Sequence, residues 1–130
     1  MKVTFLLLDH VVKIHIRQIE LYGGTQGIRD LDSLKSALNT PAITFSGQFL
    51  HPTIYEMAAA YIFHIVKNHP FIDGNKRTAT VSALSFLMIN GKKNINVTNE
   101  NLVKTILLVA KGKLNKSELA IEIKKWVKNN

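Results

Sequence analysis

His69-Pro70-Phe71-Ile72-Asp73-Gly74-Asn75-Lys76-Arg77 stands between two long runs of helical periodicity, and the reading of these nine positions decides the fold. Upstream, Ile54, Met57, Ala58, Tyr61, Ile62, Ile65 and Val66 fall at steps of three and four, one apolar stripe of a helix that Thr53 can cap. Pro70 ends that helix, because a proline ring disfavours the helical region for the residue before it, here His69. Asp73-Gly74-Asn75 then reads as a tight turn, and a second helix starts near Asn75 and runs to Asn90, with Gly91 as its stop. Its Ala79, Val81, Ala83, Leu84, Phe86, Leu87 and Ile89 surround most of its circumference, the pattern of a buried, central helix.

A buried helix preceded by such a turn carries a particular chemistry. Its first backbone N–H groups have no partner within the helix and its N-terminal end is partially positive, so it attracts anions. Gly74 permits close approach of a ligand or a positive φ. Lys76 and Arg77 sit on the first turn, where the helix dipole disfavours cations by about 0.3–1 kcal/mol each at exposed sites. Cations crowded there make sense if a polyanion, with phosphate the first choice, lies between them. Asp73 beside such a cradle has the character of a Mg²⁺ ligand, since that ion is commonly held by one or two carboxylates together with substrate phosphates. His69 can lie across the same opening as a general base, histidine being the side chain most often used to take a proton from a hydroxyl. Phe71 is expected to point inward as the pin of the loop. No phosphate loop of the G-x-x-x-x-G-K-[ST] kind occurs. The same residues also admit a plainer reading, a helix–loop–helix corner in which Asp73 pairs with Arg77 on the surface.

Working outward, periodicity indicates helix almost everywhere. Leu8, Val12, His15, Ile19 and Tyr22 form one stripe of a first helix that Gly23-Gly24 stops. Asp30 or Asp32 can cap a short second helix with Leu34, Ala37 and Leu38, ending before Pro41. Residues 40–52 are the longest irregular stretch. Phe45 and Phe49 within it are either displayed for a partner or tucked into the core. Thr98 can cap a fifth helix ending at Gly112, and Asn115 with Glu118 resembles a capping arrangement for a sixth. The expectation is one all-α domain over residues 1–130, a bundle of about six helices, with a short strand near 3–7 or in the middle loop.

At 130 residues the chain has the size of one domain with one core. With 46% hydrophobic and 20% charged residues it is ordinary globular material. The lack of cysteine removes disulfides, thiolate metal sites and cysteine nucleophiles together. The apolar run from Val3 to Leu8 is too short for a secretory signal or a membrane span, so a cytoplasmic protein without a membrane partner is expected. The net charge of +8 fits either a solvated lysine-rich surface or an acidic partner. Among the histidines, His15 reads as a hydrogen-bonded core residue and His64 as a partly buried helix residue, while His10 and His51 show no recognisable partner. Trp126 reads as packing that closes the bundle.

The string from His69 to Arg77 resembles the Fic/Doc motif H-x-F-x-[DE]-[GA]-N-[GK]-R. The stretch Ile14-His15-Ile16-Arg17-Gln18, through Tyr22-Gly23-Gly24 to Gly27-Ile28-Arg29-Asp30, is similar to the start of Doc-like proteins. Lys76 stands where the AMP-transferring Fic proteins have glycine, and Thr80 where they have a second arginine. Both match the Doc (death-on-curing) branch. That resemblance implies a helical fold and a toxin of a toxin–antitoxin system. It implies transfer of the γ-phosphate of ATP, with Mg²⁺, to a hydroxyl of a target protein. A threonine of elongation factor Tu is the target it suggests, so that translation stops. It further implies His69 as base, Asp73 as metal ligand, Gly74 and Asn75 as anion hole, and Lys76 and Arg77 as phosphate holders. Residues 40–52 would form a flap that docks the target chain. The pattern [ST]-x-x-x-E-[GN] of the family's inhibitory helix has its nearest match at 96–101, where Asn96 replaces the hydroxyl residue, so restraint is expected from a separate antitoxin. The alternatives are a Fic-type AMP transferase and a basic nucleic-acid-binding module, the latter supported only by charge.

Overall fold

In a computed structural model describing residues 2–128, six helices pack around a common hydrophobic core. They are α1 (Leu8–Tyr22), α2 (Leu31–Asn39), α3 (Ile54–Asn68), α4 (Asn75–Ile89), α5 (Asn99–Ala110) and α6 (Lys116–Trp126). Local capping sets most of the helix starts. Asp30 Oδ1 accepts from Ser33 N–H at 3.0 Å. Thr53 and Glu56 cap each other's backbone at the start of α3, and Asn115 and Glu118 do the same for α6. Thr98 accepts from Asn101 N–H at 3.1 Å to open α5.

The expected α3 stripe is buried in full, and Ala59 and Ala60 join it. Small side chains there let α3 sit closely among α2, α4 and α6. The centre of the bundle is therefore shared by the two helices that flank the loop of residues 69–74. On α4, Thr78, Ala79, Ser82, Ala83, Phe86 and Leu87 face the core. Met88 and Ile89 are half exposed, and Val81 and Leu84 line a cleft, so the apolar perimeter of α4 serves two surfaces rather than burial on all sides.

On α1 the buried line is Val11, His15, Gln18 and Ile19, one step round from the expected stripe. Tyr22, expected to be buried, is 64% exposed, because its ring lies under the Arg77 guanidinium instead of against the core.

The middle segment continues α2 with a 3₁₀ turn, Thr40–Ala42, and then forms a two-stranded hairpin, β1 (Thr44–Phe45) and β2 (Gln48–Phe49). Ser46 and Gly47 both have positive φ, as a tight two-residue hairpin turn with right-handed strand twist requires. The two aromatics divide their roles. Phe45 is 77% exposed, whereas Phe49 packs on Phe5 with ring centroids 5.8 Å apart. The N-terminal segment is extended but pairs with no strand among the described residues. Asn90 brackets Thr4 through both its backbone groups, and Leu6 N–H donates to the buried Tyr61 hydroxyl.

Candidate active site at the start of α4

α3 ends as the sequence suggests. His69 is its C-cap in the left-handed region, φ 50° and ψ 54°, which a residue with a Cβ adopts only when its surroundings hold it there. Pro70 and Phe71 turn inward. Phe71 is fully buried and its ring stacks on His15, centroids 3.9 Å apart and planes 6° from parallel. His15 Nε2 lies 2.8 Å from the carbonyl oxygen of Asp73. A carbonyl only accepts, so that nitrogen carries the proton. His15 is thus the hydrogen-bonded core histidine its stripe position suggests, and the site loop is what it bonds.

Asn75 closes the loop from the other side. Its Oδ1 accepts from Phe71 N–H at 2.9 Å and its Nδ2 donates to Phe71 O at 3.0 Å. The buried side-chain amide is thus turned to that backbone by both its oxygen and its nitrogen, and the main-chain N–H of Asn75 is the group at the helix start that can serve an anion hole. Gly74 N-caps α4 with φ 75°, and no side-chain oxygen covers that helix end, in contrast to α2, α3, α5 and α6. The first intrahelical bond is Thr78 N–H to Gly74 O at 3.0 Å, leaving the N–H groups of Asn75, Lys76 and Arg77 ahead of the helical ladder.

Asp73 is exposed at the mouth of the site. Thr25 N–H donates to its Oδ2 at 3.2 Å and Gly74 N–H to its Oδ1 at 2.9 Å. Those two bonds, Thr25 first, hold the carboxyl below the usual carboxylate range, with the Arg77 charge adding to them. The carboxylate is therefore ionised, and each oxygen keeps a lone pair for a cation. The surface ion pair of the plainer reading does not form. Arg77 instead donates to Gly23 O at 3.4 Å, with its guanidinium 5.1 Å from the Tyr22 ring centre, and the described residues' ion pair is Lys125 with Glu122. Elsewhere, His10 has a partner after all, its Nδ1 accepting from Leu7 N–H at 3.3 Å.

These groups open onto a cleft of about 660 Å³. His69, Asp73, Lys76, Arg77 and Thr80 line its polar end, so the structure brings every site residue read from the sequence to one opening. Leu84 on α4 and Leu102, Val103, Ile106 and Leu107 on α5 form an apolar wall beyond them. Gln18 and Tyr22 of α1 also line the cleft, and the sequence reading assigned them no role there. Gln18 is a buried amide on an otherwise apolar face, which is the signal that would have found it. Among the described residues no group of three or more His, Cys, Asp or Glu side chains could hold a metal ion. Asp73 is thus a lone carboxylate, which fits an ion that shares its ligation with phosphates.

The Fic/DOC family model matches residues 5–87, from the N-terminal segment through most of α4. A protein called Toxin Doc from Mycolicibacterium smegmatis is 40% identical over 70 residues, 54% of either chain. Protein kinase doc of Escherichia phage P1 is 30% identical over 83 residues, 64% of this chain and 65% of its own. The matched stretches thus span about half to two thirds of the length of these relatives. The matched region contains α1, the α1–α2 connector, the loop and the start of α4, and the chain belongs to the Fic/DOC family, in its Doc branch.

Proposed function

We propose that this chain is a toxin of a toxin–antitoxin system that transfers the γ-phosphate of ATP to a hydroxyl of a target protein. The observation that carries the reading is the uncapped N-terminus of α4 opening, with Lys76 and Arg77, into the cleft that His69 and Asp73 border. An uncapped helix end with two cations suits phosphates, and the ionised Asp73 is the residue that would hold a Mg²⁺ ion beside them. The name of the phage relative, a protein kinase, favours phosphoryl over nucleotidyl transfer, and Lys76 and Thr80 at the Doc-type positions point the same way.

In this reaction the backbone N–H groups of Asn75, Lys76 and Arg77 and the two side-chain cations hold the phosphate chain. Asp73 would hold the Mg²⁺ ion, which when bound would supply neutralisation of the charge on the transferring group. His69 takes the proton of the target hydroxyl as its oxygen bonds to the γ-phosphorus and the bond to the bridging oxygen breaks, releasing ADP. Little covalent chemistry falls to the protein in phosphoryl transfer, so positioning and electrostatics supply most of the rate. The hairpin with its exposed Phe45 is the surface that docks the target chain, and a threonine of elongation factor Tu is the target proposed. An antitoxin acting in trans provides restraint, and the charge of +8 suits an acidic partner.

The test uses the purified chain with Mg²⁺ and a bacterial lysate, supplied with ATP labelled at either the α- or the γ-phosphate. Label entering a protein band from the γ position only, and absent with His69→Ala, is the expected result. Label from the α position overturns the phosphotransfer reading in favour of AMP transfer.

A further inference from the structure

The connector between α1 and α2 follows the site loop along its length. Ile72 N–H donates to Gly27 O at 3.0 Å, and Arg29 and Asp30 N–H both donate to Pro70 O, at 2.7 and 3.1 Å. Ile28 bridges Phe71 in antiparallel fashion, and Thr25 holds the Asp73 carboxylate. Two side chains reach the end of α3: Ser33 at the start of α2, whose hydroxyl donates to the carbonyl of Asn68 at 3.2 Å, and Arg29, which alone of the two also reaches His69. Arg29 Nε donates to the carbonyl of His69 at 2.6 Å and Arg29 Nη2 donates to the carbonyl of Asn68 at 2.8 Å.

Three properties make this more than a surface contact. The carbonyls at a helix C-terminus have no intrahelical donor, and that end of the helix carries the negative pole. A planar guanidinium that spans two consecutive carbonyls makes charge-assisted bonds to both at fixed spacing, which a lysine ammonium cannot reproduce. Arg29 also has no carboxylate in ion-pair range among the described residues, and its neighbour Asp30 is engaged as the cap of α2. Its charge is directed wholly at the carbonyls of residues 68 and 69. His69 itself holds the left-handed conformation between those carbonyls and lines the cleft.

We propose that Arg29 is the positioning residue for His69, locking the imidazole over the cleft by fastening the backbone carbonyls on either side of the left-handed turn. The inference rests on the phosphotransfer reading for its consequence, but not for its geometry. Loss of Arg29 is expected to leave the phosphate cradle on α4 in place and to misplace the base.

The experiment compares the full chain with Arg29→Gln and Arg29→Lys, reading backbone chemical shifts of His69 and γ-phosphate transfer in parallel. In Arg29→Gln the His69 shifts are expected to leave the left-handed range while the resonances of α4 stay put. The value of kcat should fall on the order of 100-fold, as for a misplaced catalytic group, with KM for ATP changed by no more than about twofold. Arg29→Lys, which keeps the charge and one donor, guards against a Gln variant that fails to fold and should lie between the two. Unchanged His69 shifts in both variants, or a rise in KM that accounts for the lost activity, overturns the proposal. If the wild-type chain transfers no phosphate, the functional reading fails on its own, and the His69 shifts still decide whether Arg29 holds that residue.

Discussion

Asn75 shows how one residue can matter to the proposed phosphate site by bracing its loop from within. The amide gives its oxygen to Phe71 N–H and its NH₂ to Phe71 O, and all three groups are out of water. With neither bond available from solvent, truncation strands two buried backbone groups, each at a cost of about 1–3 kcal/mol. Asn75→Ala is therefore expected to lower unfolding stability by about 2–6 kcal/mol in a denaturant titration. Asn75→Asp should fall between, because its carboxylate still accepts from Phe71 N–H and can no longer donate to Phe71 O. An alanine variant as stable as wild type would show that the loop does not depend on this bracket. His15 works in the same direction from α1, pinning Phe71 by stacking and Asp73 by its carbonyl. The grouping of His69, Asp73, Lys76 and Arg77 at one opening was legible because all four fall within one nine-residue string. The inward duty of Asn75 was not legible, since an asparagine in such a motif reads equally as ligand or as brace.

At the scale of elements, the α1–α2 connector and the site loop form one unit, and the glycines of the connector show how tightly they meet. Gly23 and Gly24 both have positive φ, so alanine at either is strained by about 1–3 kcal/mol. They differ in surroundings. A Cβ on Gly23 meets nothing within 4 Å, while one on Gly24 lies 2.7 Å from Asp73 Oδ2 and 3.1 Å from Ile19 Cδ1. Gly24→Ala is thus expected to displace the Asp73 carboxylate as well as strain the turn. Both variants should lose similar stability in thermal melts, but Gly24→Ala alone should need more Mg²⁺ for half-maximal transfer. Equal Mg²⁺ requirements would separate Asp73 from the role proposed for it. Helix boundaries were legible because caps and stripes are local signals, as at Thr53 with Glu56 and Asn115 with Glu118. The connector's role was not legible, because Arg29 and His69 are 40 residues apart and nothing near Arg29 announces its partner. The slip in the α1 stripe has a physical cause too. Gln18 and Tyr22 face the cleft, so polarity and burial stop coinciding on that face.

Across the whole molecule the site sits at one end of α3, and a second group of titratable side chains gathers elsewhere along the same helix. Lys116 Nζ donates to His64 Nε2 at 3.0 Å, joining the start of α6 to α3. His51 lies close enough to act on His64 electrostatically, and its Nδ1 is buried without a partner. Burial foremost, then the Lys116 charge, then His51 push His64 down to about 4, and burial likewise lowers His51, with Glu56 opposing. In the unfolded chain such histidines titrate near 6.5, so below that pH the unfolded state binds protons that the folded state refuses. The contribution is fully present above 6.5 and is lost as pH falls through about 4. Melting temperature is therefore expected to drop across that window. In His64→Gln the drop should be shallower, because glutamine still offers Lys116 an acceptor and carries no proton equilibrium. The remaining slope in that variant belongs to His51, whose lowering has the same sign. A His64→Gln profile parallel to wild type from 6.5 to 4 would mean that the α3–α6 contact does not carry the acid sensitivity. This cluster lies outside the cleft lining, so the same variant should keep its γ-phosphate transfer rate at pH values above the window, and stability and activity can be read apart.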